Sequence, residues 1–297
     1  MVSNSVTQLQ VGQVGGQSWV WGSNSFGVLR SADLGATFDT YESVAITPQD
    51  GGVSGLAVGP TLVAAATVID TAIADVQGAG GGIVYTMDNG GNWTWLPQPL
   101  DCYVEAENGL PQDRIAVDCY TGDTLSYIDI PTTTTIQNIP YDLSVEGDSA
   151  IWAASFAGGF RRYSLASQQW KNEVVDNNGF DPVANLNHRA FSVLSADGGV
   201  WAGSAGGLNF RPWGSSEWEH FSYQNKQDNG EPTITGNWVV VLDRQPLPDG
   251  SEAIWAGGWA TFANIGDYYG LSYTNDNGGS WTVIHDLDQV KVWDLAF

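Results

Sequence analysis

The sequence predicts an all-β chain folded as a β-propeller, with five blades of four antiparallel strands and the first strand of a sixth. Three observations predict it. An eight-residue pattern occurs three times, as Ser31-Ala-Asp33-Leu-Gly35-Ala-Thr37-Phe38, Thr86-Met-Asp88-Asn-Gly90-Gly-Asn92-Trp93 and Thr274-Asn-Asp276-Asn-Gly278-Gly-Ser280-Trp281. A second pattern, an aliphatic residue followed by Trp and small residues, recurs at Val20-Trp21-Gly22, Ile151-Trp152-Ala153, Val200-Trp201-Ala202 and Ile254-Trp255-Ala256. The composition agrees: 14% charged residues and 37 glycines in 297 residues suit short strands and tight turns. No stretch shows convincing apolar spacing at i, i+3, i+4, i+7.

Each copy of the eight-residue pattern reads as a braced hairpin. The aspartate accepts backbone N–H groups of the turn, and Asn-Gly or Leu-Gly supplies the positive φ of a tight reversal. The aromatic then fills the space between neighbouring sheets. Each Trp strand is preceded by a short β-rich run: Val6–Val11, Tyr141–Val145, Phe191–Leu194 or Trp238–Leu242. A glycine-led strand follows, such as Gly27–Arg30 or Gly207–Phe210, and the last member carries Phe38, Trp170, Trp218 or Trp281. Four strands per unit, repeated at about 45–55 residues, select a propeller among repeat architectures. Of 14 tryptophans, eight fall at repeat positions (21, 93, 152, 170, 201, 218, 255 and 281) and are expected in the core.

The blades fall at about 3–45, 52–100, 137–176, 187–224 and 234–287, all in one propeller domain over 1–297. In the second, Leu62–Thr67 replaces the Trp strand; the third and fourth keep the final Trp without the aspartate. The segment 101–136 is an insertion between blades. Val292-Trp293-Asp294-Leu295-Ala296-Phe297 matches Tyr141–Val145 and begins a sixth unit. Such a strand either closes the ring on the first unit or belongs to a longer ring. The longer ring is expected, because a lone innermost strand leaves an open edge.

The three braced turns resemble the Asp-box, or BNR repeat, of sialidases, xyloglucanases, sortilin-type receptors and photosystem assembly factors. The run Val200–Asn209 also resembles repeats of two-component-regulator sensor propellers. The resemblance covers nearly the whole chain outside 101–136. It implies structural roles for Ser31, Asp33, Gly35, Phe38, Thr86, Asp88, Gly90, Trp93, Thr274, Asp276, Gly278 and Trp281. It implies no activity, because in these families the Asp-box lies away from the active site.

A net charge of −23, from 33 acids against 10 bases, repels nucleic acid and anionic membranes. It suits an exported or salt-exposed surface, or alternatively Ca²⁺ or a basic partner. No apolar run spans a bilayer; Leu56–Ile69 is broken by Gly59 and Pro60. Met-Val-Ser-Asn-Ser has neither a basic nor an apolar signal region, so any signal peptide has been removed or lies upstream. Cys102 and Cys119 are either a disulfide, worth about 3 kcal/mol in the chain-entropy model, or two buried thiols. Without nearby histidines they make a poor zinc site. No resident cofactor or metal is expected.

Candidate binding residues lie on the face opposite the braced turns. Segments 67–82 and 258–270 lengthen the hairpins between second and third strands, and 101–136 links two blades, as functional loops on a rigid scaffold do. Asp142 and Asp294 occupy equivalent starts of innermost strands. They either act as acid and base on a glycosidic bond, hold a cation, or cap their own loops. His188 and Arg189 stand at the same level of the fourth unit. Trp259, Phe262, Asp267, Tyr268 and Tyr269 crowd the insertion of the fifth, where aromatics beside an acid suit a sugar ring or a peptide, or pack on the next blade.

Three chemistries are marked down. A sialidase needs three arginines at the substrate carboxylate, yet the arginines here are 30, 114, 161, 162, 189, 211 and 244, with Arg30, Arg161 and Arg162 in third strands. No glycine loop cradles a phosphate. His188, His220 and His285 give no persuasive Ser/His/Asp spacing. The leading expectation is a non-catalytic extracellular or cell-surface module, for glycan or protein recognition or as scaffold, within a larger exported protein. A xyloglucanase- or sialidase-like hydrolase and a protein-binding assembly or sensor propeller are the alternatives.

Overall fold

The computed structural model describes the chain except residues 1–5, 15, 48–50, 70–77, 111–112, 119–120, 125–137, 177–178 and 261–267. It is a β-propeller fold: five separate four-stranded antiparallel sheets, each with its strands in chain order. The first blade is β1 (Gln8–Val14), β2 (Gln17–Asn24), β3 (Gly27–Ser31) and β4 (Asp39–Glu42). The second is β5 (Gly51–Val58), β6 (Val63–Ile69), β7 (Ala79–Thr86) and β8 (Thr94–Leu96). An arm of β9 (Asp101–Val104) and β10 (Ile115–Asp118) follows. The third blade is β11 (Pro140–Glu146), β12 (Ala150–Ser155), β13 (Gly159–Ser164) and β14 (Gln169–Glu173). The fourth is β15 (Ala190–Ala196), β16 (Gly199–Ser204), β17 (Leu208–Pro212) and β18 (Glu219–Phe221). The fifth is β19 (Val239–Pro246), β20 (Glu252–Gly258), β21 (Leu271–Thr274) and β22 (Thr282–Val283). Short helical turns at Ser43–Ile46, Leu186–His188 and His285–Leu287 interrupt the all-β pattern among the described residues.

The chain divides into two compact units, residues 1–173 with 178–181 and residues 174–177 with 182–297. In the first unit, Trp21, Leu56, Val63 and Val84 form a core between blades one and two. Leu62, Ile83, Leu143, Ile151 and Tyr163 form another between blades two and three. In the second unit, Trp201, Phe210, Phe221, Ile254 and Trp281 fill the gap between blades four and five. Among the second strands, every residue of β12 and β16 is buried. Small residues suit such strands, because a close-packed interior leaves little room beside them.

The braced turns are built as their sequence dictates. In the first, Asp33 Oδ1 accepts the Thr37 N–H (2.8 Å) and the Ser31 hydroxyl (2.8 Å), while Asp33 Oδ2 accepts the Thr37 hydroxyl (2.6 Å). Asp88 and Asp276 repeat this with Asn92 and Thr86, and with Ser280 and Thr274. Leu34, Asn89 and Asn277 take φ of 57°, 57° and 56°, and the glycines after them are also left-handed. Two of the three aromatics dock on the preceding blade. Trp93 meets Trp21 edge-on (79°) and Tyr41 at 5.4 Å; Trp281 meets Trp201 edge-on (86°) and Phe221 at 5.3 Å.

The eight repeat tryptophans are not equally deep. Trp21, Trp152 and Trp201 are fully buried and Trp281 nearly so, whereas Trp93, Trp170, Trp218 and Trp255 are half-buried. Trp218 packs beneath the Arg211 guanidinium of its own blade, 4.8 Å from the ring centre. Trp255 stacks on Tyr273 and Phe297 and donates its indole N–H to Gln245.

Residues 292–297 carry no strand pairing among the described residues. They nevertheless sit on the fifth blade where a following first strand belongs. Val292 lies against Gly257 as Val239 lies against Gly203, the equivalent glycine one blade earlier. Trp259 donates its indole N–H to the Val292 carbonyl (2.5 Å). The hydrophobic half of strand formation is thus present, without the ladder that a second strand supplies.

Candidate ligand-binding face of the fifth blade

Asp142 and Asp294 share one local construction. Each carboxylate accepts the N–H of the next residue, Leu143 or Leu295, at 2.9 Å. Asp142 follows a β-bulge between Pro140 and Asp142, and bulges recur in the same part of β5, β15 and β19. Asp142 belongs to the first compact unit and Asp294 to the second. Within the second unit the acid that answers Asp294 is Asp243, on β19. Burial raises the Asp243 pKa; the Arg244 N–H partly opposes this, and the charge of Asp294 adds to it. Its position two residues further along an innermost strand hid it from the repeat alignment.

His188 is 2% exposed, with Nε2 3.1 Å from Asp176 Oδ1, while Asn185 donates to the other Asp176 oxygen at 2.6 Å. Arg189 donates to the carbonyls of Pro182 and Val183. Both therefore tie down the link between the third and fourth blades. Next to them Asn187, Asn209 and Ser204 form a buried polar network, and the exposed His220 pairs with Asn209 at its edge. Partial desolvation lowers the His220 pKa, and the charge of Asp176 opposes the shift.

The insertion of the fifth blade presents the accessible aromatics. Asp267 and Phe262 lie outside the described residues. Tyr268 is 51% exposed and stacks on Tyr223, with ring centres 4.3 Å apart and planes at 12°. Burial raises the Tyr223 pKa, helped by a hydrogen bond with Tyr268 and by the nearby charges of Asp288 and Glu231. The Lys226 ammonium sits 4.1 Å from the Tyr223 ring centre. Tyr269 is half-buried, and its carbonyl accepts the Gln289 N–H. Trp259 packs on Trp293, ring centres 4.2 Å apart, and Trp293 is 70% exposed.

A charged rim closes this patch. His285 Nδ1 lies 3.1 Å from Asp288 and its Nε2 3.5 Å from Glu231. The Asp288 hydrogen bond, with Asp288, Glu231 and Asp286 charges, raises the His285 pKa. Of the residues of this patch the sequence singled out Trp259, Tyr268 and Tyr269. Tyr223, Lys226 and Glu231 come from the link 222–238, and His285 and Asp288 from the turn after β22, so no local pattern joins them. The length of that link was the available signal.

Cys102 is disulfide-bonded; Cys119, its expected partner, lies outside the described residues. Among the described residues no group of three or more His, Cys, Asp or Glu is placed to hold a metal ion. Among the described residues no helix is long and apolar enough to cross a membrane.

No protein-family model and no curated protein matches this chain. Similar solved structures include the extracellular domain of BT3049, a hybrid two component system from B. thetaiotaomicron, at 16% identity and a TM-score of 0.48 over 94% of this chain and 30% of that one. The computationally designed Ika8 protein is similar at 12% identity and 0.46, over 99% of this chain and 78% of its own. YCF48 bound to D1 peptide is similar at 12% identity and 0.44, over 93% and 69%. The chain thus spans under a third of the length of the BT3049 domain.

Proposed function

We propose that this chain is a non-catalytic recognition module of an exported protein, binding a glycan or protein ligand on the loop face of its fifth blade. The observation that carries the reading is the Tyr268 ring, held parallel on Tyr223 with half its surface in solvent. The fold does not require such a ring: the blade cores are complete without it. Aromatics fixed on loops give large contact area at low entropic cost, which is how rigid binding sites are made. The disulfide at Cys102 supports an oxidising compartment. The resemblance to Asp-box and sensor propellers fits an extracellular module, and a place among further blades or domains follows from the same reading.

The test is binding of the purified chain to glycan and peptide arrays, with Tyr268→Ala as the control variant. Binding lost in the variant, with unchanged far-UV and thermal unfolding, supports the module. Binding that survives there, or appears on neither array, refutes the site.

A second reading has its own observation. Asp243, with a raised pKa beside Asp294, has the character of a general acid with a carboxylate partner. Turnover of aryl-glycosides or xyloglucan that disappears in Asp243→Asn establishes that reading and removes the first.

A further inference from the structure

We infer that the ligand brings a cation to this face: a lysine or arginine of a peptide chain, seated on the open side of Tyr268. The inference rests on the recognition reading above and names the chemistry of its ligand. Three observations lead to it.

First, the aromatic stack already carries one cation. Lys226 places its ammonium 4.1 Å from the centre of Tyr223, the ring that backs Tyr268. A ring face attracts cations through its quadrupole, and Tyr268 is 51% exposed. Second, the rim is acidic. Glu231, Asp286 and Asp288 stand against Lys226 and His285, which leaves an excess of negative charge that grows when His285 is neutral. A neutral sugar gains nothing from that charge; an ammonium or guanidinium does. Third, the whole chain bears −23, which draws basic ligands by long-range steering and disfavours a second copy of itself.

Geometry makes the arrangement selective. Tyr223 and Tyr268 come from separate loops, so their stacking fixes both before a ligand arrives. His285 bridges Glu231 of one loop and Asp288 of another and holds the acids beside the rings. A planar guanidinium can lie on the Tyr268 ring while its edge reaches a carboxylate, the pairing for which arginine is best shaped. Lysine fits the same face as a point charge.

The probes are an acetylated, amidated Gly-Arg-Gly-Arg-Gly peptide, its glutamate counterpart and the neutral sugar cellotetraose, titrated calorimetrically into the full chain. The arginine peptide is expected to bind and the other two are not. Tyr268→Ala should weaken binding about tenfold, equal to ~1.4 kcal/mol, within the range of a desolvated cation–π contact. Tyr268→Phe should keep it, because the ring face remains. Asp288→Asn with Glu231→Gln should weaken it severalfold and flatten its salt dependence.

Affinity should rise as pH climbs through the raised pKa of His285, since its charge competes with the ligand among Glu231, Asp286, Asp288, Lys226 and the two tyrosines. The pH step should vanish in His285→Gln. Cellotetraose bound in place of the peptide, and lost in Tyr268→Ala, overturns the cation while keeping the recognition module. Binding of no probe on this chain, together with empty arrays, overturns both.

Discussion

The braced turn of the fifth blade and that of the first carry the same hydrogen bonds and differ in what their aromatic meets. At Asp276 and Asp33 the brace has matching distances, 2.8 Å to the backbone N–H and 2.6 Å to the hydroxyl. Trp281 then enters a slot made by Trp201 and Phe221 of the fourth blade. Phe38 is half-buried and has no ring partner of that kind among the described residues. The third blade shows the converse: it lacks the aspartate, yet Trp170 packs on Tyr163 at 5.2 Å and donates to the Pro97 carbonyl. The brace is therefore a local device that shapes a hairpin. Docking between blades is a separate device, and the repeat unites them only where both are present.

Glycine substitutions separate the two devices most sharply. Gly278 and Gly35 have nearly the same backbone, φ of 93° and 90°, so a side chain at either meets the same left-handed strain of about 1–2 kcal/mol. A Cβ on Gly278 would also stand 2.5 Å from Phe221, whereas one on Gly35 meets only Phe38, at 3.7 Å. Gly278→Ala should cost about 1–3 kcal/mol more than Gly35→Ala, the overpacking component alone. Urea denaturation of the two variants measures the gap. Equal losses would mean that the fifth-blade turn is held by its own brace rather than against its neighbour.

The brace itself has a pH signature. Asp88 lies at about 2, held down first by the Asn92 N–H, then by the Asn92 side chain and the Thr86 hydroxyl. Asp33 lies at about 2 through the Thr37 hydroxyl and N–H and the Ser31 hydroxyl. At Asp276 partial burial pushes upward, and the Ser280 and Thr274 hydrogen bonds more than offset it. A folded value below the unfolded 3.8 stabilises the chain fully above that range and is lost as pH falls from 3.8 towards 2. The melting-temperature gap between wild type and Asp88→Asn should accordingly be widest above about pH 5 and narrow towards about pH 2.5. A gap independent of pH would show that the carboxylate charge contributes nothing to the turn. Because the difference is taken against the variant, relief of repulsion among the other acids cancels.

These two devices also mark how far the sequence could be read. The brace is four residues deep, so Asp33, Asp88 and Asp276 were legible from spacing alone, as were the Trp strands that the blade cores demand. Pairing without a repeat was not legible. The arm of β9 and β10 pairs Val104 with Ile115 across a loop that no other blade shares. His188 reads as a binding candidate in sequence because Asp176, its partner, sits in an irregular link. Tyr268 was visible as an aromatic in an insertion, but Tyr223 reaches it from another loop. Local rules thus gave the scaffold, and the candidate site depends on contacts between segments with no common pattern.

The smallest effect concerns the one braced turn that departs from its relatives at the left-handed corner. Asn89 and Asn277 hold φ near 57° in two turns, whereas Leu34 holds it in the first and is 79% exposed. Asparagine tolerates this conformation through its short polar side chain, while leucine brings a Cβ clash and no hydrogen bond. Nothing packs the Leu34 side chain firmly enough to repay the strain, since most of it faces water. Leu34→Asn should stabilise the protein by about 0.5–1 kcal/mol, and Asn277→Leu should cost a similar amount. Thermal unfolding of the pair reads the sign directly. A destabilised Leu34→Asn would mean that the exposed leucine serves a contact of the first blade that the brace alone does not explain.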